Sequence, residues 1–136
     1  MYIAAAPLSL GLLLGGMGFF SFIIAPTAFR ALSPEDAAAF VRRLFPTYYL
    51  YIALTAALAC VGLVGKEPYM SVLMLTVAGV AMICRQVLTP AINRARDREL
   101  SGDDAAGRRF ALLHRGSVAL NFAMLAAGLT ATVVHV

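Results

Sequence analysis

The chain has 136 residues, of which 61% are hydrophobic and only 13% charged, with a mean hydropathy of +0.83. Soluble domains carry about a quarter charged residues and bury about two-thirds of the surface they expose when unfolded, so a water-soluble fold is excluded and the bilayer becomes the solvent. The net charge of +4 does not point to nucleic acid, because the basic residues flank apolar stretches instead of forming a patch; membrane lipids with anionic head groups suit them better.

The first uncharged stretch runs from Tyr2 to Phe29, long enough to cross a hydrocarbon core of about 30 Å. No basic residue precedes it and it is too long for the apolar part of a signal peptide, so it reads as a retained span. Pro26 sits near its inner end and Arg30 closes it. In the first loop, Ser33-Pro34-Glu35-Asp36 has the makings of a helix start: a cap, a proline at the first position and acids in the first turn. Phe40 and Leu44 share one side of that helix, which predicts a short interfacial element before Pro46 turns the chain into the second span. That span runs from Leu44 to Gly65, and Lys66-Glu67-Pro68 makes a tight turn. The third begins at Tyr69 and ends near Thr89, where Pro90 follows. In the second loop Ser101 is expected to cap a helix that carries Asp103 and Asp104 in its first turn and runs directly into the fourth span. The expected architecture is all-α: an integral membrane four-helix bundle, one domain over 1–136, with spans at about 2–29, 44–65, 69–89 and 110–135.

Orientation follows from the arginines. Arg30, Arg42 and Arg43 belong to the first long loop and its flanks. Arg94, Arg96, Arg98, Arg108, Arg109 and Arg115 belong to the second, with Arg85 just inside the adjoining span, while Lys66 stands alone in the short turn. Basic residues mark the cytoplasmic side. Both long loops are therefore expected inside, and both termini outside, a bacterial-type inner membrane. The two loops also resemble each other. Pro26-Thr27-Ala28-Phe29-Arg30-Ala31 aligns with Pro90-Ala91-Ile92-Asn93-Arg94-Ala95, and Ser33-Pro34-Glu35-Asp36-Ala37-Ala38 with Ser101-Gly102-Asp103-Asp104-Ala105-Ala106. This predicts two parallel helical-hairpin repeats.

Lipid tails are as apolar as leucine, so small and polar residues mark helix contacts. Each span has such a stripe: Gly11, Gly15 and Gly18; Tyr48, Tyr51, Thr55 and Gly62; Thr76, Gly79 and Gln86; His114, Ser117, Asn121, Gly128 and Thr132. The glycines, with Gly11, Gly15, Gly18, Gly79 and Gly128 foremost, are read as helix-packing positions. The polar members suggest a ligand pocket open to the cytoplasm, made by Tyr48, Tyr51, Arg85, Gln86, His114, Ser117 and Asn121, since ionisable groups inside a membrane are costly. Within it, Asn121 is expected to face the bundle interior and bond to the second or third span. The plainer reading makes Arg85 and His114 interfacial anchors.

All seven acids lie in the loops, which leaves no carboxylate for proton coupling and argues against a small multidrug antiporter. No paired-cysteine or paired-histidine spacing occurs, so neither a metal site nor covalent haem is predicted. Cys60 and Cys84 are expected at depths differing by roughly 10 Å or more, too far for a disulfide. His135 falls at the opposite end from His114, so one chain does not make a two-histidine haem site. No catalytic residue is assigned, and the sequence leans away from an enzyme.

Four motifs nevertheless have a familiar order. Ala25-Pro26-Thr27-Ala28-Phe29, Leu44-Phe45-Pro46-Thr47-Tyr48-Tyr49, Leu88-Thr89-Pro90-Ala91-Ile92-Asn93 and Phe110-Ala111-Leu112-Leu113-His114-Arg115 resemble the transmembrane protein 205-like family across essentially the whole chain. That resemblance implies a short four-span protein with a loosely defined role, associated in eukaryotic members with resistance to platinum drugs. A more distant likeness is to copper-resistance D-type membrane proteins and four-span protoporphyrinogen oxidases, although the chain lacks a histidine and lysine pair in the membrane. Three readings stay open: a protein that binds or moves a small solute, metal or lipid-like molecule; a redox or haem protein using His114, alone or in a homo-oligomer; and an assembly subunit without a pocket.

Overall fold

The computed structural model describes residues 5–136. Four long helices account for nearly all of them: α1, Ala5–Ala31; α2, Pro34–Leu63; α3, Pro68–Leu100; and α4, Asp104–His135. They hold 27, 30, 33 and 32 residues, against about 20 needed to cross the hydrocarbon core. Each contains an apolar window, and many large apolar side chains are left exposed, among them Leu8, Leu58, Val72, Val87 and Leu129. An outer surface of this kind is a lipid-facing one. The expected first span begins at residue 2; residues 2–4 lie outside those described.

Successive helices run antiparallel. α2 lies along both α1 and α3, and α4 closes the ring against α1 and α3. Leu10, Leu13 and Met17 of α1 meet Ile52, Ala56, Ala59 and Leu63 of α2, Met74, Val77 and Ala81 of α3, and Met124 and Ala131 of α4 in one buried core. The alanines let backbones approach, which is how membrane helices gain packing energy.

The joints follow local chemistry. Ser33 Oγ accepts the Asp36 N–H at 3.2 Å, with Pro34 opening α2 and Glu35 and Asp36 in its first turn. The helix that starts there does not stop. The expected short interfacial helix is instead the beginning of α2, which passes through Pro46 without a break. Pro46 removes one N–H, and the carbonyl it deprives is that of Arg42, an exposed residue at the arginine-rich end. At the other long joint, Gly102 takes a φ of +101°, a left-handed turn that glycine adopts without strain. Gly102 N–H donates to Glu99 O at 3.0 Å and Asp103 N–H to Arg98 O at 3.1 Å. This closure moves the cap: Asp103, not Ser101, accepts the Ala106 N–H at 3.2 Å. Ser101 Oγ turns back to Asp97 O at 3.0 Å. From there α4 runs unbroken into its span, as expected.

Two helices carry the same irregularity. Phe20–Ile24 in α1 and Cys84–Leu88 in α3 are π-helical. Pro26 and Pro90 stand equally far beyond them. A proline has no N–H for the carbonyl four residues back, and a wider turn before it relieves the clash. Ala25 N–H reaches Phe20 O, and Thr89 N–H reaches Cys84 O. The two halves thus share a defect at corresponding places in α1 and α3.

The glycine stripe needs correction. A Cβ built on Gly11, Gly15, Gly18 or Gly79 would meet nothing within 4 Å, and Gly11, Gly15 and Gly79 are exposed. Gly11 and Gly15 point out of the bundle from α1, and Gly79 from α3. The close approaches fall elsewhere: Gly62 against the Ala6 backbone, Gly16 against the Tyr51 ring, and Gly128, as expected, against Leu14 and Leu13.

Candidate functional site at the arginine-rich end

The seven expected pocket residues do not form one pocket. Three positions make an interior node. Tyr48 OH donates to Asn121 Oδ1 at 2.6 Å, and Asn121 Nδ2 donates to Ser21 Oγ at 3.0 Å. The node ties α2, α4 and α1 across the bundle, and Phe20 stacks on Tyr48 with ring centroids 4.0 Å apart. Asn121 therefore faces inward and bonds to the second span, as expected; its other partner lies on the first span and not the third. Ser21 is a member that sequence reading misses. Its signal is faint: one hydroxyl between two phenylalanines, just ahead of Pro26.

The remaining members go separate ways. Tyr51 OH donates to Leu12 O at 2.5 Å, and Ser117 Oγ to His114 O at 2.7 Å. Arg85 Nε donates to Pro46 O at 3.1 Å and its Nη1 to Gln86 Oε1 at 3.3 Å. Gln86 and His114 are exposed, and His114 stacks on Phe110 with centroids 5.8 Å apart. Among the described residues every buried side-chain polar atom has a partner. The interior is satisfied by its own groups.

A cavity of about 340 Å³ lies beyond the apolar spans, between the end of α3 and the start of α4. Arg94 and Arg98 line it from α3, and Arg109 and Asp103 from α4, over a floor that includes Ala95 and Ala106. Arg94 and Arg98 are one turn apart, with small alanines beside them, so the space they enclose stays open. Its walls are braced. Arg42 pairs with Asp97 through two bonds of 2.7 and 2.9 Å, joining α2 to α3. Arg96 pairs with Glu99 at 2.8 Å and lies 5.4 Å from the centre of the Phe110 ring on α4. Gly107 lets Glu99 approach: a Cβ there would come within 3.0 Å of its carboxylate.

The lining arginines differ from these braces. Among the described residues Arg94, Arg98 and Arg109 have no carboxylate within salt-bridge distance. Asp103 shares the cavity, but its Oδ1 is engaged in capping α4. The first turn of α4 adds the positive end of a helix dipole. Guanidinium groups present planar pairs of donors that match phosphate and carboxylate oxygens, so the arrangement suits a small anion. In the sequence these arginines read as orientation marks, and nothing in their spacing alone tells which of them meet across the second loop. No three of His, Cys, Asp and Glu converge to hold a metal among the described residues.

Residues 8–101 match the family described as a domain of unknown function, DUF4149. The chain belongs to this family. The match covers α1, α2 and α3 almost in full, and with them Ser21, Tyr48, Arg94 and Arg98; Arg109, His114 and Asn121 lie beyond it. No curated protein and no solved structure matches the chain. Family and fold together describe a membrane protein with four transmembrane-like helices and an undefined biochemical role.

Proposed function

We propose that this DUF4149 protein is a membrane-embedded binding protein that takes a small phosphate- or carboxylate-bearing ligand at the cytoplasmic face of the inner membrane. The observation that supports this is the cavity lined by Arg94, Arg98 and Arg109, none of which has a carboxylate partner among the described residues. Its place also speaks for a water-borne ligand. Counting about 20 residues of core from Pro68, at about 1.5 Å each, puts Arg94 and Arg98 roughly 9 and 15 Å beyond the hydrocarbon. Binding fits better than transport, because the polar groups along the bundle interior bond to one another. The likeness of Leu44–Tyr49 and Leu88–Asn93 to transmembrane protein 205-like proteins agrees with four spans and carries no ligand of its own.

The test is titration of the purified protein in mild detergent with inorganic phosphate, pyrophosphate and citrate, followed by melting temperature and calorimetry. Wild type should bind one of these anions, and the variant R98Q/R109Q should lose at least about tenfold in affinity per arginine, the worth of a charged hydrogen bond. Equal binding by the variant, or no anion response in wild type, overturns the reading. Cysteine labelling at Ala39 from the cytoplasm and at Lys66 from outside checks the orientation.

A further inference from the structure

We propose that Arg85 is the docking point for the phosphodiester of an anionic phospholipid in the leaflet on the arginine-rich side. This site is separate from the cavity of Arg94, Arg98 and Arg109, and it rests on depth, fixation and missing counter-charge.

Depth comes first. Arg85 lies roughly 26 Å along α3 from Pro68, and Pro46 lies equally far along α2 from Leu63, at about 1.5 Å per residue. In a core of about 30 Å both stand just inside the hydrocarbon, next to the phosphate layer. Fixation is the second point. Arg85 belongs to the π-helical segment of α3, and its Nε is held by the Pro46 carbonyl at 3.1 Å. Gln86 Oε1 takes Nη1 at 3.3 Å. The guanidinium is oriented by the neighbouring helix before any ligand arrives, and its other N–H groups have no bond to the described residues. Beside it Gln86 is exposed.

Counter-charge decides the chemistry. A cation at the edge of hydrocarbon requires an anion or strong acceptors. The chain supplies two neutral oxygens and no carboxylate within 4.0 Å of Arg85. Its acids lie in the loops and helix ends, and Glu67 is at the opposite end of α3. A water-soluble anion does not enter this depth, whereas a lipid phosphate sits within reach of the arginine stem. Two donors on one guanidinium face match two phosphate oxygens.

The experiment compares phosphatidylglycerol, phosphatidylcholine and free glycerol phosphate added to the full chain in detergent, with melting temperature as the first readout. Phosphatidylglycerol should raise it by several degrees, and more than phosphatidylcholine does. Glycerol phosphate should not reproduce the rise. The extra rise should vanish in R85Q, survive in part in R85K, and persist in R98Q/R109Q. Persistence in R85Q, or its reproduction by glycerol phosphate, overturns the proposal. Should R85Q not fold, a photoactivatable phosphatidylglycerol on wild type decides the matter: cross-links within residues 83–88 and on the facing part of α2 support the site, and cross-links only elsewhere overturn it.

Discussion

The two halves of the molecule start alike and finish differently. In α1 and in α3 a π-helical turn precedes a proline, and arginines follow; each chain reversal then ends in a capped helix start, Ser33 in one and Asp103 in the other. After Pro26, however, α1 stops at Ala31, little more than one turn on, whereas α3 continues past Pro90 to Leu100, nearly three turns on. The added length carries Arg96, Asp97, Arg98 and Glu99. Both ion pairs among the described residues and the arginine-lined cavity depend on it. The shared frame makes the spans; the unequal extension makes the chemistry.

Shortening the extension is the strongest way to break that comparison. Deleting Arg96 to Glu99 removes one turn and brings α3 closer to the length of its counterpart. The bundle should still form in detergent, because the buried core lies in the apolar spans. Anion binding should fall by about 100-fold or more, through loss of Arg98 and of the braces around it. Retained binding in the shortened chain would mean that the extension is spacing and not site.

A second contrast sets two glycines against each other. Gly62→Leu should destabilise the bundle by about 1–3 kcal/mol, the cost typical of overpacking, because even a Cβ would lie 2.8 Å from the Ala6 backbone nitrogen. Gly15→Leu should leave the melting temperature nearly unchanged, since nothing lies within 4 Å. Equal effects would mean that the outward face of α1 is covered in the detergent-solubilised protein.

These two glycines also show what the sequence can tell. Helical spacing groups Gly11, Gly15 and Gly18 on one face, but periodicity does not say which face meets a neighbour. In a membrane that choice is hard to read, because lipid and protein interior are equally apolar. Spans and helix starts are legible, since uncharged length and capping chemistry act locally: Ser33 caps as read. Asp103 replaces Ser101 because the left-handed Gly102 delays the helix by one reversal. Asn121 is legible by depth, which pairs groups at equal distance from the membrane surface. The cavity is not, because it arises only where the α3 extension meets the first turns of α4.

The interior node offers a smaller effect. Tyr48→Phe and Asn121→Leu each remove one end of the 2.6 Å bond. Their coupling in a double-mutant cycle should be about 0.6 kcal/mol and at most about 1.7 kcal/mol, the range for polar pairs within membrane bundles. Asn121→Leu alone should cost more than Tyr48→Phe, because it also releases Ser21. A vanishing coupling would reduce the node to two independent side chains.

The smallest effect is expected at the pair that joins the two halves. Arg42 belongs to α2 and Asp97 to the extension of α3. Their two bonds are short and bidentate, but both side chains are about half exposed. Exposed pairs contribute little to stability, since water screens the charges and two long side chains lose freedom. Asp97→Asn should therefore shift the melting temperature very little, and less still at high salt, where the Debye length falls to about 3 Å at 1 M. Its informative readout is anion affinity. Removing the carboxylate leaves Arg42 as a further unpaired cation and loosens the turn that carries Arg98. Those two consequences oppose each other, and salt separates them. A gain in affinity that disappears in high salt shows Arg42 acting by charge; a loss that persists there shows Asp97 acting by holding the extension in place.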